Sequence, residues 1–166
     1  MSDLLRFSIK PARSAEDLEA IVCLFRAYAV SLGIDLSFQD FETEMAAMPG
    51  KYAYPGGELL LARNLEGMAV GCVGLRPIAP AGCCEMKRLY IVPAGRGLGI
   101  GKALVKAVVE VAGSLGYREI RLDTLPSMVE AISLYTNAGF APITPYYDTP
   151  LAGTIFLSRA LQSSDA

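Results

Sequence analysis

The chain has 166 residues, which is enough for one domain with a sizeable core. Hydrophobic residues make up 52% and charged residues 19%, so a disordered chain is excluded. A formal net charge of −2, with no basic run longer than two residues, argues against nucleic acid as a partner. The N-terminus is unlike a signal peptide, and the longest uncharged run, residues 131–147, contains helix breakers. We therefore expect one cytoplasmic domain over residues 1–166, with loose ends at 1–6 and 161–166 and no membrane partner.

Hydrophobic periodicity and turn residues predict eleven elements in the order βααβββαβαββ. In chain order they are a strand over 7–10, helices up to residue 32 and over 38–47, strands over 58–63, 68–76 and 83–92, a helix over 99–115, a strand over 118–124, a helix from 126 to 139, a strand from 140 and a last strand over 154–157. Ser14 and Asp17 form a capping box before the first helix. Because a strand–helix–strand crossover is right-handed, the strands that contain Tyr90 and Ile120 should run parallel. The pattern predicts a mixed α/β sheet.

Cysteine and histidine usage excludes several kinds of site. The four cysteines, at positions 23, 72, 83 and 84, offer no C-x-x-C pair, and the chain has no histidine. We expect no metal site and no catalysis by a Ser-His or Cys-His pair. Cys83 and Cys84 are adjacent on a strand and should point to opposite faces. All four cysteines are predicted to be reduced and buried.

A glycine-rich loop joins the strand that ends at Val92 to the following helix. Its glycines stand at positions 95, 97, 99 and 101, next to Arg96 and Lys102. A helix N-terminus has unpaired N–H groups and a positive dipole end, and glycines let a phosphate approach them closely. A Walker loop is excluded because Ala103 stands where its hydroxyl residue belongs. The dinucleotide pattern also fails, because Lys102 or Ile100 takes the place of its third glycine.

Three segments carry a family resemblance. The loop R-G-L-G-I-G follows a strand that ends in V-P, the strand itself reads E-M-K-R-L-Y-I-V-P, and a late helix reads A-I-S-L-Y-T-N-A-G-F. Together with the element order, they resemble the GNAT family of N-acyltransferases over nearly the whole chain. The resemblance implies an α/β (α+β) fold with a mostly antiparallel central sheet of six to seven strands and about four helices. It also implies acetyl transfer from acetyl-CoA to a small-molecule or peptide amine.

The resemblance also assigns cofactor-binding residues. In the family the sheet splays beside its central strand, so backbone groups of Ile91 and Val92 would meet pantetheine. The pyrophosphate would be bound by the loop residues Arg96, Gly97, Leu98, Gly99, Ile100, Gly101 and Lys102. The local sequence agrees with the splay, since Met86 and Leu89 lie three apart and predict a bulge. Met128 replaces an asparagine that contacts the cofactor in many members, so that contact is not assigned to this position.

Two residues are the predicted catalytic groups. Tyr135 matches the family tyrosine near the thioester sulfur, and a phenol can protonate a departing thiolate; otherwise it is a core residue. Glu85 matches a position where many members keep an acidic group near the amine; otherwise it is an exposed residue at a strand start. Lys87 and Arg88 are predicted to be solvated or structural. Direct attack by the amine needs no protein nucleophile, and positioning supplies much of the rate.

The acceptor side and the function class leave alternatives open. By resemblance, residues 33–39 and 146–153 would form the acceptor site. A cationic amine would suit the carboxylates Asp35, Glu58 and Asp148. An apolar amine would suit the tyrosines Tyr52, Tyr54, Tyr146 and Tyr147. An acyl-CoA sensor without catalysis and a nucleotide-binding regulator are the competing hypotheses. A homodimer is possible, since dimers are common among members of the family.

Overall fold

The computed structural model describes residues 6–37 and 40–161, which form a seven-stranded sheet with four α-helices. The strands are β1 Phe7–Pro11, β2 Glu58–Asn64, β3 Ala69–Ile78, β4 Cys83–Ile91, β5 Glu119–Thr124, β6 Ala141–Pro142 and β7 Ile155–Ala160. The helices are α1 Ala15–Leu32, α2 Phe41–Ala46, α3 Ile100–Ser114 and α4 Val129–Asn137, with single 3-10 turns at Gly50–Tyr52 and Pro93–Gly95. The predicted element order and fold class are confirmed.

The strands lie in the order β1-β2-β3-β4-β5-β7-β6. All neighbours are antiparallel except β4 and β5, which run parallel as the crossover through α3 predicts. These two strands pair over three positions only, from Cys83 opposite Glu119 to Glu85 opposite Arg121. Beyond them β4 continues to Ile91 and β5 to Thr124 without pairing to each other. The sheet therefore opens into a gap between β4 and β5, as the resemblance implied.

Two apolar clusters cover the two faces of the sheet. One contains the inner side of α3, including Leu104 and Val108, together with Ile120, Leu122 and Tyr135. The other contains Ile21 and Phe25 of α1, with residues of α2 and the opposite face of β2 and β3. Strands buried on both faces need helices on both sides, which is the arrangement seen here. The gap between β4 and β5 lies between these two layers.

Local signals at the helix ends agree with the sequence. The Ser14 side chain accepts a hydrogen bond from the Asp17 N–H, and the Asp17 carboxylate accepts one from the Ser14 N–H, which completes the capping box. Gly33 ends α1 with φ 66°, and Gly116 follows α3 with φ 91°. Positive φ favours glycine, so both helices end where the sequence predicts.

Some sequence predictions require correction. Leu161 is not loose, because its N–H donates to the Arg118 carbonyl oxygen at 2.8 Å and extends the pairing of β5 and β7 by one residue. Cys23 is exposed, because it lies on the outer side of α1, whereas Cys72, Cys83 and Cys84 are buried. The predicted start of α2 at residues 38–39 lies outside the described residues, as do residues 1–5 and 162–166.

Candidate active site

A bulge in β4 widens the gap beside β5. Arg88 has φ 63°, and the pairing with β3 shifts register between Cys72 and Gly74, which lie opposite Tyr90 and Lys87. The bulge predicted near Lys87 and Arg88 is therefore confirmed. The extra residue breaks the ladder and turns the later part of β4 away from β5. Lys87 and Arg88 were predicted to be solvated or structural; both are buried, so the solvated alternative is wrong.

Helix α2 holds the bulge in place through Arg88. The Arg88 guanidinium lies 3.0 Å from Glu44 Oε1, donates to Oε2 at 3.3 Å and stacks 5.1 Å from the Phe41 ring centre. The Tyr52 hydroxyl donates to the same carboxylate at 2.9 Å. Burial alone would raise the pKa of Glu44, but hydrogen bonds from Arg88 and its charge outweigh burial and hold that pKa below its usual range. This pair gives Arg88 a structural role.

We expect the Glu44–Arg88 pair to make the free energy of unfolding depend on pH in the acid range. Because the folded-state pKa of Glu44 is depressed, its contribution is complete at neutral pH and is lost as pH falls below 4.5 toward the folded pKa. Glu44→Gln should lower the free energy of unfolding by about 3 kcal/mol at pH 7, since it leaves a buried guanidinium without its counter-charge. Denaturant unfolding at pH 7 and pH 4 tests this. A difference between wild type and variant that does not shrink at pH 4 would contradict it.

The glycine loop presents an open backbone at the start of α3. Gly97 and Gly99 both have φ 84°, and a Cβ built on either would meet no described atom within 4 Å. Gly95 and Gly101 are different, because a Cβ on Gly101 would come 2.9 Å from Leu134 Cδ1, and one on Gly95 would come 3.3 Å from Val70 Cβ. Two of the four glycines therefore serve the open loop and two serve close packing. The first helical hydrogen bond runs from Ala103 to Gly99, so the amides at positions 100–102 precede the intrahelical ladder.

A cleft of about 740 Å³ runs along this loop. The predicted cofactor residues that line it are Ile91, Arg96, Gly97, Gly99, Ile100, Gly101 and Lys102. Its other wall is the start of α4, from Ser127 to Ala131. Leu98 and Val92 are not among its lining residues. The Val92 N–H donates to the Val70 carbonyl oxygen at 3.0 Å, and the Val92 carbonyl oxygen accepts from Gly95, so both backbone groups are already used.

A smaller cavity of about 40 Å³ lies at the inner end of the gap and contains Tyr135. Tyr28, Leu89 and Met128 line both this cavity and the cleft, so the two spaces adjoin. Tyr135 is 6% exposed, and burial raises its pKa far above the usual range of a phenol. The phenol is therefore fully protonated at neutral pH and can only donate a proton there. Met128, which replaces the family asparagine, takes a position between the two spaces.

Glu85 lies in a network of charged and phenolic groups. It is only 2% exposed, so the alternative that it is an exposed strand residue is wrong. The Arg76 guanidinium lies 2.9 Å from its Oε1, and the Tyr146 hydroxyl donates to its Oε2 at 2.6 Å. Burial lowers the pKa of Lys87 below its usual value, although the negative charges of Glu85 and Asp123 act in the opposite direction. Glu85, Arg76 and Lys87 thus form a set of charged groups beside the cavity.

Sequence reasoning missed the polar groups at the end of β5. The Tyr147 hydroxyl donates to Asp123 Oδ2 at 2.6 Å, while its neighbour Tyr146 reaches Glu85. Asp123 and Thr124 both line the Tyr135 cavity. The register could have revealed them: Glu85 lies opposite Arg121 on β5, and Asp123 is two residues further on the same face.

In residues 6–37 and 40–161, no helix is long and apolar enough to cross a membrane. Within the same residues, no three metal-binding side chains of the His, Cys, Asp or Glu type come together as a group.

Comparisons with known proteins identify the family of this chain. The family model "Acetyltransferase (GNAT) family" matches residues 24–140. An uncharacterized N-acetyltransferase of Schizosaccharomyces pombe is 39% identical over 150 residues, which cover 90% of this chain and 92% of that protein. One from Dictyostelium discoideum is 30% identical over 93% of this chain and 99% of its own. A crystal structure of a Staphylococcus aureus acetyltransferase of the GNAT family shares the fold, with a TM-score of 0.77 at 22% identity over 94% of this chain and 99% of that one. The chain therefore belongs to the GNAT family of acetyltransferases and is an acyltransferase.

Proposed function

We propose that this protein transfers an acetyl group from acetyl-CoA to a primary amine, by direct attack of the amine in a ternary complex. The observation that carries the proposal is that the cleft along the glycine loop adjoins the cavity of Tyr135. An extended thioester cofactor needs both parts, since its phosphates and its reactive end are far apart. Tyr28, Leu89 and Met128 form the junction.

The residues of the cleft fit acetyl-CoA. The open backbone at Gly97 and Gly99 leaves room for a pyrophosphate, and Arg96 and Lys102 supply positive charge beside it. Ile91 pairs with Gly71 of β3 but lies beyond the part of β4 that pairs with β5, so its backbone can meet the pantetheine arm from that side. The other loop amides assigned to the pyrophosphate are those of Ile100 and Gly101. Leu98 was predicted to bind the pyrophosphate and Val92 to meet pantetheine, and both roles stay predictions.

Tyr135 is the proposed proton donor to the departing thiolate. Tyr135 lines the cavity and its phenol is protonated at neutral pH, so a proton is available beside the proposed position of the sulfur. The rest of the cavity wall combines apolar side chains, for example Leu36 and Met86, with charged ones such as Lys87. Glu85 is the predicted proton acceptor, and both of its oxygens already hold hydrogen bonds, so that role stays a prediction.

Thermal unfolding with and without acetyl-CoA, followed by a free-thiol assay over a panel of primary amines, tests the function. A ligand at a hundred times its Kd should add about 2.7 kcal/mol of stability. We expect an upward shift in Tm and thiol release that depends on the amine. A shift without turnover by any amine would favour the acyl-CoA sensor. Stronger stabilisation by ATP or NAD would favour a nucleotide-binding regulator.

A further inference from the structure

The end of β5 brings two polar side chains to the Tyr135 cavity from opposite faces of the strand. Thr124 continues the buried face of Ile120 and Leu122, which belong to the same apolar cluster as Tyr135. Asp123 continues the face of Arg121, beside Tyr147. In a strand that is paired on both sides, these two faces would meet different layers. Because β5 has left β4 by this point, both side chains line one cavity.

Thr124 has an unexplained hydroxyl. The residue is 4% exposed, and its Oγ1 is fully buried without a hydrogen-bond partner among residues 6–37 and 40–161. Leaving a buried hydroxyl unpaired is costly, and most such groups in folded proteins have a partner. Thr124 is one of the residues that line the cavity where the thioester is proposed to lie. A ligand with a polar atom at this point would complete its hydrogen bonding.

Asp123 is better placed than Glu85 to meet an amine. Asp123 lines the cavity, whereas Glu85 is not one of the residues that line it. The Tyr147 hydroxyl holds Asp123 by Oδ2 and fixes its orientation. Glu85 has one oxygen beside the Arg76 guanidinium and the other bound by Tyr146. Arg76 and Tyr146 therefore already bind both oxygens of Glu85, the carboxylate that the sequence predicted as the proton acceptor.

We propose that Asp123 accepts the proton of the substrate ammonium and that Thr124 donates its hydroxyl hydrogen to the thioester carbonyl oxygen, with Glu85 as a positioning residue that acts through Tyr146. This inference rests on the proposed acetyl transfer and deepens it. The acceptor it assigns is an amine that is protonated in solution, because only such an amine needs a carboxylate to remove a proton. The amine then approaches from the Asp123 side and the thioester from the Thr124 side.

The step balances as follows. The ammonium gives one proton to Asp123, and the free nitrogen pair forms a bond to the carbonyl carbon while the carbonyl π pair moves to oxygen beside Thr124. When C=O re-forms, the C–S bond breaks and its electron pair leaves on sulfur, which takes the Tyr135 proton. The second nitrogen proton returns to the Tyr135 oxygen through solvent, and Asp123 releases its proton to water. The products are an amide, free thiol and one proton.

Asp123→Asn tests the first half with two amines of similar size. One is an alkylamine that is charged at pH 7, and the other is an arylamine that is neutral there. We expect kcat/KM for the alkylamine to fall about 100-fold, the typical scale of general base catalysis, and the arylamine to be affected far less. Asparagine keeps an oxygen for the Tyr147 hydroxyl, so the loop should stay in place. Acetyl-CoA Kd and Tm verify that the variant is folded.

Glu85→Gln is the matched comparison, because it removes a buried carboxylate from the same network. Loss through positioning should be smaller and equal for both amines. The titratable groups that interact with Asp123 are Lys87, Tyr28, Tyr135, Tyr146 and Tyr147. They remain in both variants, so a selective loss with the charged amine reports on the carboxylate itself. Selective loss in Glu85→Gln but not in Asp123→Asn would overturn the assignment.

Thr124→Val tests the second half and has a readout other than activity. Valine has the same shape without the unpaired hydroxyl, so Tm of the free protein should rise by about 2–4 °C. Turnover should nevertheless fall, and loss of one donor to a developing oxyanion typically costs about 100-fold in kcat. A lower Tm would show that the hydroxyl has a protein partner, and an unchanged kcat would remove its role in the reaction.

The outcomes separate this inference from the proposed function. Unchanged amine selectivity in Asp123→Asn, with wild type still releasing thiol from acetyl-CoA, would overturn the subsite and leave acetyl transfer standing. No thiol release by wild type with any amine would overturn the proposed function, and the acceptor subsite with it. Thr124→Val would still report by Tm whether a buried hydroxyl is kept at a stability cost.

Discussion

Gly99→Glu is expected to abolish acetyl-CoA binding, with a rise in Kd of more than about 100-fold. Gly99 stands immediately before α3 with φ 84° and open space beside it, in the cleft assigned to the pyrophosphate. A glutamate there places a negative charge where the ligand carries its own, and at the positive end of the helix dipole. Isothermal titration with acetyl-CoA measures the effect directly.

The same helix offers a control for backbone strain. Gly116 follows α3 at its other end with φ 91°, and a Cβ built there also meets no described atom within 4 Å. Gly116→Glu therefore imposes a similar strain, which for a non-glycine residue at positive φ costs roughly 1–2 kcal/mol. Gly116→Glu should lose at least as much stability as Gly99→Glu, because a glutamate is unfavourable at the negative end of the helix dipole, but only Gly99→Glu should lose the ligand. Equal affinities in the two variants would mean that the loop does not bind the pyrophosphate.

Tyr135→Phe is expected to lower kcat about 100-fold while acetyl-CoA Kd changes by less than about twofold. The ring stays in the cavity, packed edge-on 6.0 Å from the Phe140 ring, so binding should survive. What is lost is a buried proton donor, and general acid catalysis of this kind contributes at least about 100-fold. Because the hydroxyl acts only on the departing thiolate, kcat and kcat/KM should fall together.

Tyr117→Phe is a matched control on a surface remote from the cleft. Its hydroxyl donates to the Gly56 carbonyl oxygen, and the residue lines neither the cleft nor the Tyr135 cavity. Its loss should cost about 1 kcal/mol of stability and leave kcat unchanged. Steady-state kinetics over several amines tests both variants. If Tyr135→Phe turns over as fast as wild type, another group protonates the thiolate.

The fold could be predicted because its signals are local. Helical spacing in residues 15–32, the capping box at Ser14 and the glycine-rich turn after Val92 each act within a few residues of one another. The bulge near Arg88 was also visible, since it breaks the alternation of apolar residues along a single strand. Short-range geometry of this kind leaves a readable pattern in a single sequence.

The inner part of the site could not be predicted because it depends on long-range pairing. Tyr146 and Glu85 are 61 residues apart, as are Gly56 and Tyr117, and neither contact leaves a local pattern. The burial of Glu85 follows from the position of the final loop over the sheet, and the burial of Arg88 follows from Glu44 on α2. A strand glutamate that looks exposed by alternation is therefore buried by elements that arrive later in the chain.

The two tyrosine contacts suggest how acceptor preference could change within this architecture. The hydroxyls of Tyr146 and Tyr147 donate to Glu85 and Asp123 and so hold the beginning of the final loop. The loop ends where β7 begins, at Ile155. Between these anchors and β7 lie residues 148–154, of which Leu151 and Thr154 line the Tyr135 cavity. The proposed reaction centre on β5 and α4 is thus bordered by one short segment, and replacing that segment is a direct way to explore new acceptors.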